Sequence, residues 1–130
     1  MISNEDPDVW VGNFNLREFS SKDGKPSPFP QVVRQPLLDL CNEIRLRFGG
    51  PIIVNSGYRS PEHNKAVGGV PDSYHVQGLA ADIRPKNLKD LPRLWRICEQ
   101  VNLFGGTGIY DTFVHVDARG YRARWDYRSK

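Results

Sequence analysis

Apolar residues recur every three or four positions in two stretches of the chain, and this spacing predicts two amphipathic α-helices. The first stretch runs from Val33 to Phe48 and is followed by Gly49 and Gly50. Pro36 lies inside it, so we expect the regular helix to begin near this proline, because proline is tolerated in a first helical turn. The second stretch follows Asn87, and its apolar positions are Leu88, Leu91, Leu94, Trp95, Cys98 and Val101.

Shorter apolar runs bounded by turn residues predict β-strands. Their ranges are 51–55, 79–84, 106–110, 113–117 and 121–125. A short helix with Ser60 as its N-cap is expected between the first two strands. Residues 1–30 are expected to be irregular and to wrap the core, with one helical turn at 16–19. Helices combined with mostly adjacent terminal strands predict an α+β fold, in which a small, mainly antiparallel sheet is flanked by helices within one domain, residues 1–130.

The composition narrows the class of protein. The chain has 130 residues, 38% of them hydrophobic, and no apolar run of membrane-spanning length, so we expect one domain and no membrane partner. The first residues, MISNEDPDVW, are acidic and polar and lack the pattern of a signal peptide. Cys41 and Cys98 fall on the apolar faces of the two predicted helices, where we expect buried free thiols; one bridge between the helices is the alternative.

Basic and aromatic residues are interleaved near the end of the chain, whose formal net charge is +3. The residues concerned are Arg119, Tyr121, Arg122, Arg124, Trp125, Tyr127, Arg128 and Lys130. A strand with solvated arginines on one face is the interpretation that we favour. A surface for an anionic polymer such as a bacterial cell wall, or for nucleic acid, would have the same composition.

Two histidines and one aspartate have residue types that could form a metal site. His75 precedes Asp82 by seven residues, and His115 lies 33 residues beyond Asp82. A catalytic zinc takes three protein ligands of these types and keeps a fourth position open. His115 lies in the alternating segment FVHVD, which places His115 and Asp117 on one face of a strand and two valines on the other. The spacing alone is also compatible with a histidine that is only hydrogen-bonded on a half-exposed strand.

The segments SGYRSPEHNKAVGGVPDSYHVQGLAADIR and GIYDTFVHVD resemble the zinc D-alanyl-D-alanine carboxypeptidase family. Relatives of that family include phage endolysins, and the hedgehog signalling domain shares its metal core. The family pattern is Ser-x-His, Gly-x-Ala-x-Asp and a late His on a strand, and it is matched by Ser73, His75, Gly78, Ala80, Asp82 and His115. The resemblance implies a hedgehog/D,D-peptidase-like fold with one zinc per chain, held by His75, Asp82 and His115.

The resemblance also implies roles in substrate binding. Arg59, in SGYRS, would hold a substrate carboxylate or polarise the scissile carbonyl, a role suited to a fixed and always charged guanidinium. Ser73 would bind the peptide backbone. The structural alternatives are an ion pair with a neighbouring carboxylate for Arg59 and a turn for Ser73.

The general base is the point at which this chain departs from the family. Many members have Glu or Asp three residues before the last His, and Thr112 stands there in this sequence. We expect Asp117 to be the base, because it shares a strand face with His115, and Asp111 remains the second candidate. An ion pair between Arg84 and Asp117 is the structural alternative.

The function implied is metal-assisted hydrolysis of an amide bond in peptidoglycan stem peptides or cross-links, by a D,D-carboxypeptidase or an endopeptidase. Without a signal peptide, the chain resembles a phage lysin that acts on the wall from the host cytoplasm or the virion, as a monomer that binds no nucleic acid. Two other classes remain open. One is a catalytically silent zinc-binding domain of the hedgehog type, and the other is a basic nucleic-acid-binding module.

Overall fold

The computed structural model describes residues 2–3, 10–19, 21–22 and 32–129. The α-helices are α1 (Gln35–Phe48), α2 (Pro61–Ala66) and α3 (Leu91–Val101). The strands are β1 (Ile2–Ser3), β2 (Trp10–Val11), β3 (Phe14–Asn15), β4 (Val32–Val33), β5 (Ile52–Ser56), β6 (Ala80–Pro85), β7 (Gly106–Ile109), β8 (Val114–Asp117) and β9 (Ala123–Asp126). Single 3-10 turns are formed by Leu16–Phe19, as predicted, and by Leu88–Asp90. Most of the segment predicted to wrap the core, 23–30 in particular, lies outside the described residues.

A five-stranded sheet with the order β5-β6-β8-β7-β9 forms the centre of the fold. Its neighbouring strands are antiparallel, except that β9 runs parallel to β7. Two small two-stranded sheets, β1 with β4 and β2 with β3, lie outside it. The predicted α+β class with a mainly antiparallel sheet is therefore confirmed. In the described part of the chain, no helix combines the length and the apolar character needed to cross a membrane.

The hydrophobic core lies between the central sheet and the helices α1 and α3. Its fully buried side chains include Leu37, Leu38, Ile44, Ile83, Leu94, Ile109, Val114 and Val116. Cys41 on α1 and Cys98 on α3 are free and buried in this core, as predicted. Burial raises the pKa of the Cys41 thiol to about 12, so this thiol stays protonated and behaves as a small apolar group.

The beginnings of both long helices differ from the prediction. The first helix begins at Gln35, with Pro36 in its first turn, whereas Val33 belongs to β4. The third helix begins only at Leu91, after the 3-10 turn, and Leu88 is exposed rather than part of the buried face. Pro92 explains the second difference, because proline has no N–H to bond to the carbonyl of Leu88, as a continuous α-helix would require.

Strand register places the polar side chains on the face of the sheet away from the core. Asp82 on β6 lies opposite His115 on β8, and His115 lies opposite Gly108 on β7. Gly108 in turn lies opposite Trp125 on β9. These four residues form one row across the sheet, and the predicted alternation of β8 is confirmed, since both of its valines are fully buried.

Candidate metal centre

His75, Asp82 and His115 come together in space although they lie far apart along the chain. His75 lies in the loop between α2 and β6, and the other two lie on neighbouring strands. Asp82 Oδ1 is 3.0 Å from His115 Nδ1 and 3.4 Å from His75 Nε2. One ligand atom from each residue lies within 4.8 Å of the others, so the cluster could hold a metal ion.

Each imidazole ring has a hydrogen-bonding partner on the side away from the cluster. The carbonyl oxygen of Gly57 lies 2.8 Å from His75 Nδ1 and can only accept, so Nδ1 carries the hydrogen and Nε2 faces Asp82. Asp117 Oδ2 lies 2.7 Å from His115 Nε2, on the far side of the ring, whereas Nδ1 faces the cluster and lies 3.0 Å from Asp82 Oδ1. Metal-binding histidines in proteins are usually supported in this way by a carbonyl or a carboxylate.

The donor set of the cluster fits zinc. Two imidazole nitrogens and one carboxylate oxygen are ligands that zinc prefers, and three protein ligands leave a position open for catalysis. His75 and Asp82 are buried, and the His115 side chain is 13% exposed, so the cluster forms the floor of a cleft. Burial alone would raise the pKa of Asp82, but its hydrogen bonds with His115 and His75 outweigh that effect and hold the pKa well below its usual range.

Asp117 has no solvent exposure, and both of its oxygens already accept hydrogen bonds. Arg119 donates to them from Nε and Nη2, each at 2.8 Å, and the backbone N–H of Gly106 donates at 3.0 Å. Burial would raise the pKa of Asp117, but Arg119 and His115 hold it well below its usual range. Arg84, the partner in the structural alternative, instead donates to Asn55 at 3.0 Å, and Asp117 pairs with Arg119.

Arg59 and Ser73 line the cleft above the cluster, which has a volume of about 750 Å³. Arg59 Nη2 lies 3.5 Å from Asp82 Oδ2, and Nη1 donates to Asn64 Oδ1 at 3.2 Å. Ser73 Oγ accepts a hydrogen bond of 3.2 Å from the backbone N–H of His75 and so shapes the loop that carries this histidine. Both residues therefore lie beside the cluster of His75, Asp82 and His115, and their roles toward a substrate stay predictions.

Asp111 faces away from the cluster, toward the C-terminal segment. It is exposed, and its carboxylate accepts hydrogen bonds of 2.8 and 2.7 Å from the backbone N–H and the hydroxyl of Ser129. These bonds lower the pKa of Asp111. Among the described residues that line the cleft, the carboxylates are Asp72 and Asp82.

Sequence reasoning did not place the aromatic side of the cleft or the partner of Asp117. Tyr110, Phe113, Trp125 and Tyr127 line one side of the cleft, and we call these four residues the aromatic wall. Arg119 packs its guanidinium over the ring of Tyr74, with 4.6 Å between Cζ and the ring centroid. The two-residue spacing of Asp117 and Arg119 in HVDAR was the available signal for this ion pair.

Much of the basic C-terminal segment is engaged within the fold. Arg124 donates from Nη1 to the carbonyl of Gly105 at 2.8 Å and from Nη2 to that of Asn102 at 2.7 Å, just after α3. Arg128 pairs with Asp126 at 2.6 Å. These contacts explain part of the basic composition without a nucleic-acid partner, whose absence stays a prediction that salt-dependent retention on DNA would test.

We expect the metal-free protein to lose stability in acid because of this cluster. Asp82 and Asp117 have lowered pKa values when folded, so they bind protons near pH 4 in the unfolded chain but not in the folded one. Their stabilisation is complete above pH ~5 and declines as the pH falls, by up to about 1.4 kcal/mol per pH unit for each group. Urea titrations between pH 4 and 2, with a chelator present, give the free energy of unfolding at each pH. In Asp117→Asn this free energy should fall less steeply with pH, by about 1.4 kcal/mol per pH unit. Equal slopes would contradict the pKa assignment.

Comparison with known proteins gives one finding. A family model described as Peptidase M15 matches residues 12–117, which is most of the chain. A search of curated proteins finds no match.

Proposed function

This chain belongs to the peptidase M15 family, and on that premise we propose that it is a zinc-dependent peptidase that hydrolyses an amide bond in the stem peptides or cross-links of peptidoglycan. The observation that carries the proposal is the cluster of His75, Asp82 and His115, in which each imidazole has an outer hydrogen-bonding partner. The cleft that opens above this cluster has room for several residues of a peptide. A phage lysin acting on the wall from the host cytoplasm or the virion is the setting that the sequence resemblance suggests.

In this proposal the cluster holds the metal and the residues around it orient the substrate. Zinc at such a site would act as a Lewis acid, which polarises a carbonyl group and lowers the pKa of a bound water. In the reaction, water adds to the carbonyl carbon, the C–N bond breaks and the departing amine takes up a proton. Arg59 would hold a carboxylate or the carbonyl oxygen of the substrate, and Ser73 would hold its backbone.

We assign Asp117 the orientation of His115 rather than proton transfer. A general base must reach the proton that it accepts, but Asp117 is enclosed by Arg119, Gly106 and His115 and is fully buried. Asp111 is engaged with Ser129. Besides Asp82, the described residues of the cleft lining include one carboxylate, the exposed Asp72, three residues before His75, and loss of turnover with zinc retained in Asp72→Asn would support it as the proton acceptor.

The engagement of Asp117 with Arg119 and of Asp111 with Ser129 favours a second candidate function. If no carboxylate accepts the proton, the chain is a zinc-binding domain without turnover, of the kind that the hedgehog resemblance suggests. The deciding experiment is digestion of purified peptidoglycan with and without a chelator, followed by mass analysis of the products. New amine and carboxylate ends that disappear with chelator support the peptidase. One zinc per chain with no cleavage supports the silent domain.

Arg59→Lys should reduce kcat/KM about 10- to 100-fold with little change in Tm. Lysine keeps the positive charge but loses the planar fork, and hydrogen bonds to charged groups contribute about 1.5–3 kcal/mol. The matched control is Arg47→Lys, which alters an exposed arginine on α1 that pairs with Glu43 at 2.8 Å. A collapse of Tm in Arg59→Lys, without a specific loss of activity, would instead make Arg59 a structural partner of Asp82 and Asn64.

A further inference from the structure

The aromatic wall is held in a fixed arrangement by contacts among its own rings. Tyr110 and Phe113 stack with 4.4 Å between centroids and 9° between planes, and Tyr127 meets Tyr110 edge-on at 5.6 Å. The indole Nε1 of Trp125 donates to the Tyr110 hydroxyl at 3.0 Å. Because these rings are already ordered, a ligand that stacks on them would lose little additional side-chain entropy.

Packing of the core does not account for this wall. The wall lies on the face of the sheet that carries the candidate metal ligands, whereas the core lies on the opposite face. Tyr127 in this wall is 67% exposed. Gly108 leaves the space that Trp125 occupies, since a Cβ there would collide with the indole ring. Exposed apolar surface next to a cleft is typical of a binding site.

The chemistry of the wall points to a neutral, flat ligand. Of the carboxylates nearby, Asp126 is paired with Arg128, and Asp111 accepts two hydrogen bonds from Ser129. Broad ring faces are edged by the hydroxyls of Tyr110 and Tyr127. A pyranose ring has the complementary form, with C–H groups on its faces and hydroxyl or acetamido groups on its edges. An alanine methyl group would cover little of such a surface.

We propose that the aromatic wall binds an N-acetylated sugar ring of the glycan strand that carries the stem peptide. This inference rests on the proposed function, because it places the glycan in the same cleft as the peptide. The ring centroids of Trp125 and His115 lie 5.2 Å apart across the sheet, and Tyr127 lies two residues farther along the chain, roughly at right angles to that row, so the wall extends to about 8–9 Å from His115. An extended peptide covers about 3.3–3.6 Å per residue, so the bond cut lies within about three residues of the sugar.

The first test compares two substrates, a stem peptide attached to its disaccharide and the same peptide without sugar. Aromatic contacts contribute about 0.5–1.5 kcal/mol, so kcat/KM should be about 3- to 10-fold higher for the sugar-linked peptide. Tyr127→Ala should bring this ratio close to one. The matched control, Phe104→Ala, changes an aromatic side chain that is 75% exposed and lies outside the cleft lining, and should keep the ratio.

The second test does not depend on hydrolysis and therefore separates this inference from the proposed function. Tri-N-acetylchitotriose is titrated into metal-free protein by calorimetry. We expect saturable binding that weakens at least several-fold in Tyr127→Ala and stays unchanged in Phe104→Ala. Absence of binding, or equal affinity in Tyr127→Ala, would overturn the sugar site even if the peptidase is active. A further comparison uses two sugar-free peptides, one with a side-chain ammonium group and one with norleucine in its place. Tighter binding of the peptide with the ammonium group would also overturn the sugar site, since the wall would then bind a cation.

Discussion

His115→Ala should lose zinc almost completely while the chain remains folded. His115 supplies one of three ligands, and its imidazole is held between Asp82 and Asp117 at 3.0 and 2.7 Å. Loss of an outer hydrogen-bonding partner alone weakens metal binding by about 10- to 100-fold, so loss of the ligand itself should exceed 100-fold. The fold should persist because the valines on either side of His115 are the ones that pack in the core.

Elemental analysis and competition with a chromogenic chelator measure this loss, and circular dichroism checks the fold. The matched control is His63→Ala, since His63 lies on α2 outside the cluster. This control should keep one zinc per chain. Full zinc content in His115→Ala would show that the metal binds elsewhere and would remove the basis of the proposed peptidase activity.

The sequence was sufficient to predict the elements that build the floor of the cleft. In FVHVD, the alternation of valines with His115 and Asp117 sets which face of β8 is buried, and the structure agrees. Strong local signals also predicted α2, where Ser60 caps the helix and accepts a hydrogen bond from the backbone N–H of His63. Periodicity of two or of 3.6 residues needs only a short window of sequence, and this is why these predictions succeeded.

Contacts between distant parts of the chain could not be predicted in the same way. The acceptor for His75 is the carbonyl of Gly57, 18 residues earlier, and a backbone carbonyl leaves no trace in residue type. The position of Trp125 beside His115 depends on the parallel pairing of β9 with β7, and that register follows from tertiary packing. Arg119 was seen only as part of a basic segment, because its partner is decided by how the chain turns after β8.

Asp117→Asn should lower zinc affinity by about 10- to 100-fold, and excess zinc should restore much of the activity. Asparagine is nearly the same size, but it removes the negative charge that supports His115 and presents an amide group to Arg119. A general base would give the opposite result. Zinc affinity would then be unchanged, and activity would remain about 10²- to 10⁴-fold lower even at saturating zinc.

The chain contains a matched control for this experiment. Asp126 and Arg128 form an ion pair with the same two-residue spacing as Asp117 and Arg119, but both side chains are more than 40% exposed. Asp126→Asn should therefore change neither zinc affinity nor activity, because exposed pairs contribute little. Arg119→Gln provides an independent second variant. This variant leaves the carboxylates of Asp82 and Asp117 in place. A loss of zinc affinity in Arg119→Gln would therefore show that the Arg119–Asp117 pair acts through His115. Unchanged zinc affinity would restrict this role to Asp117 alone.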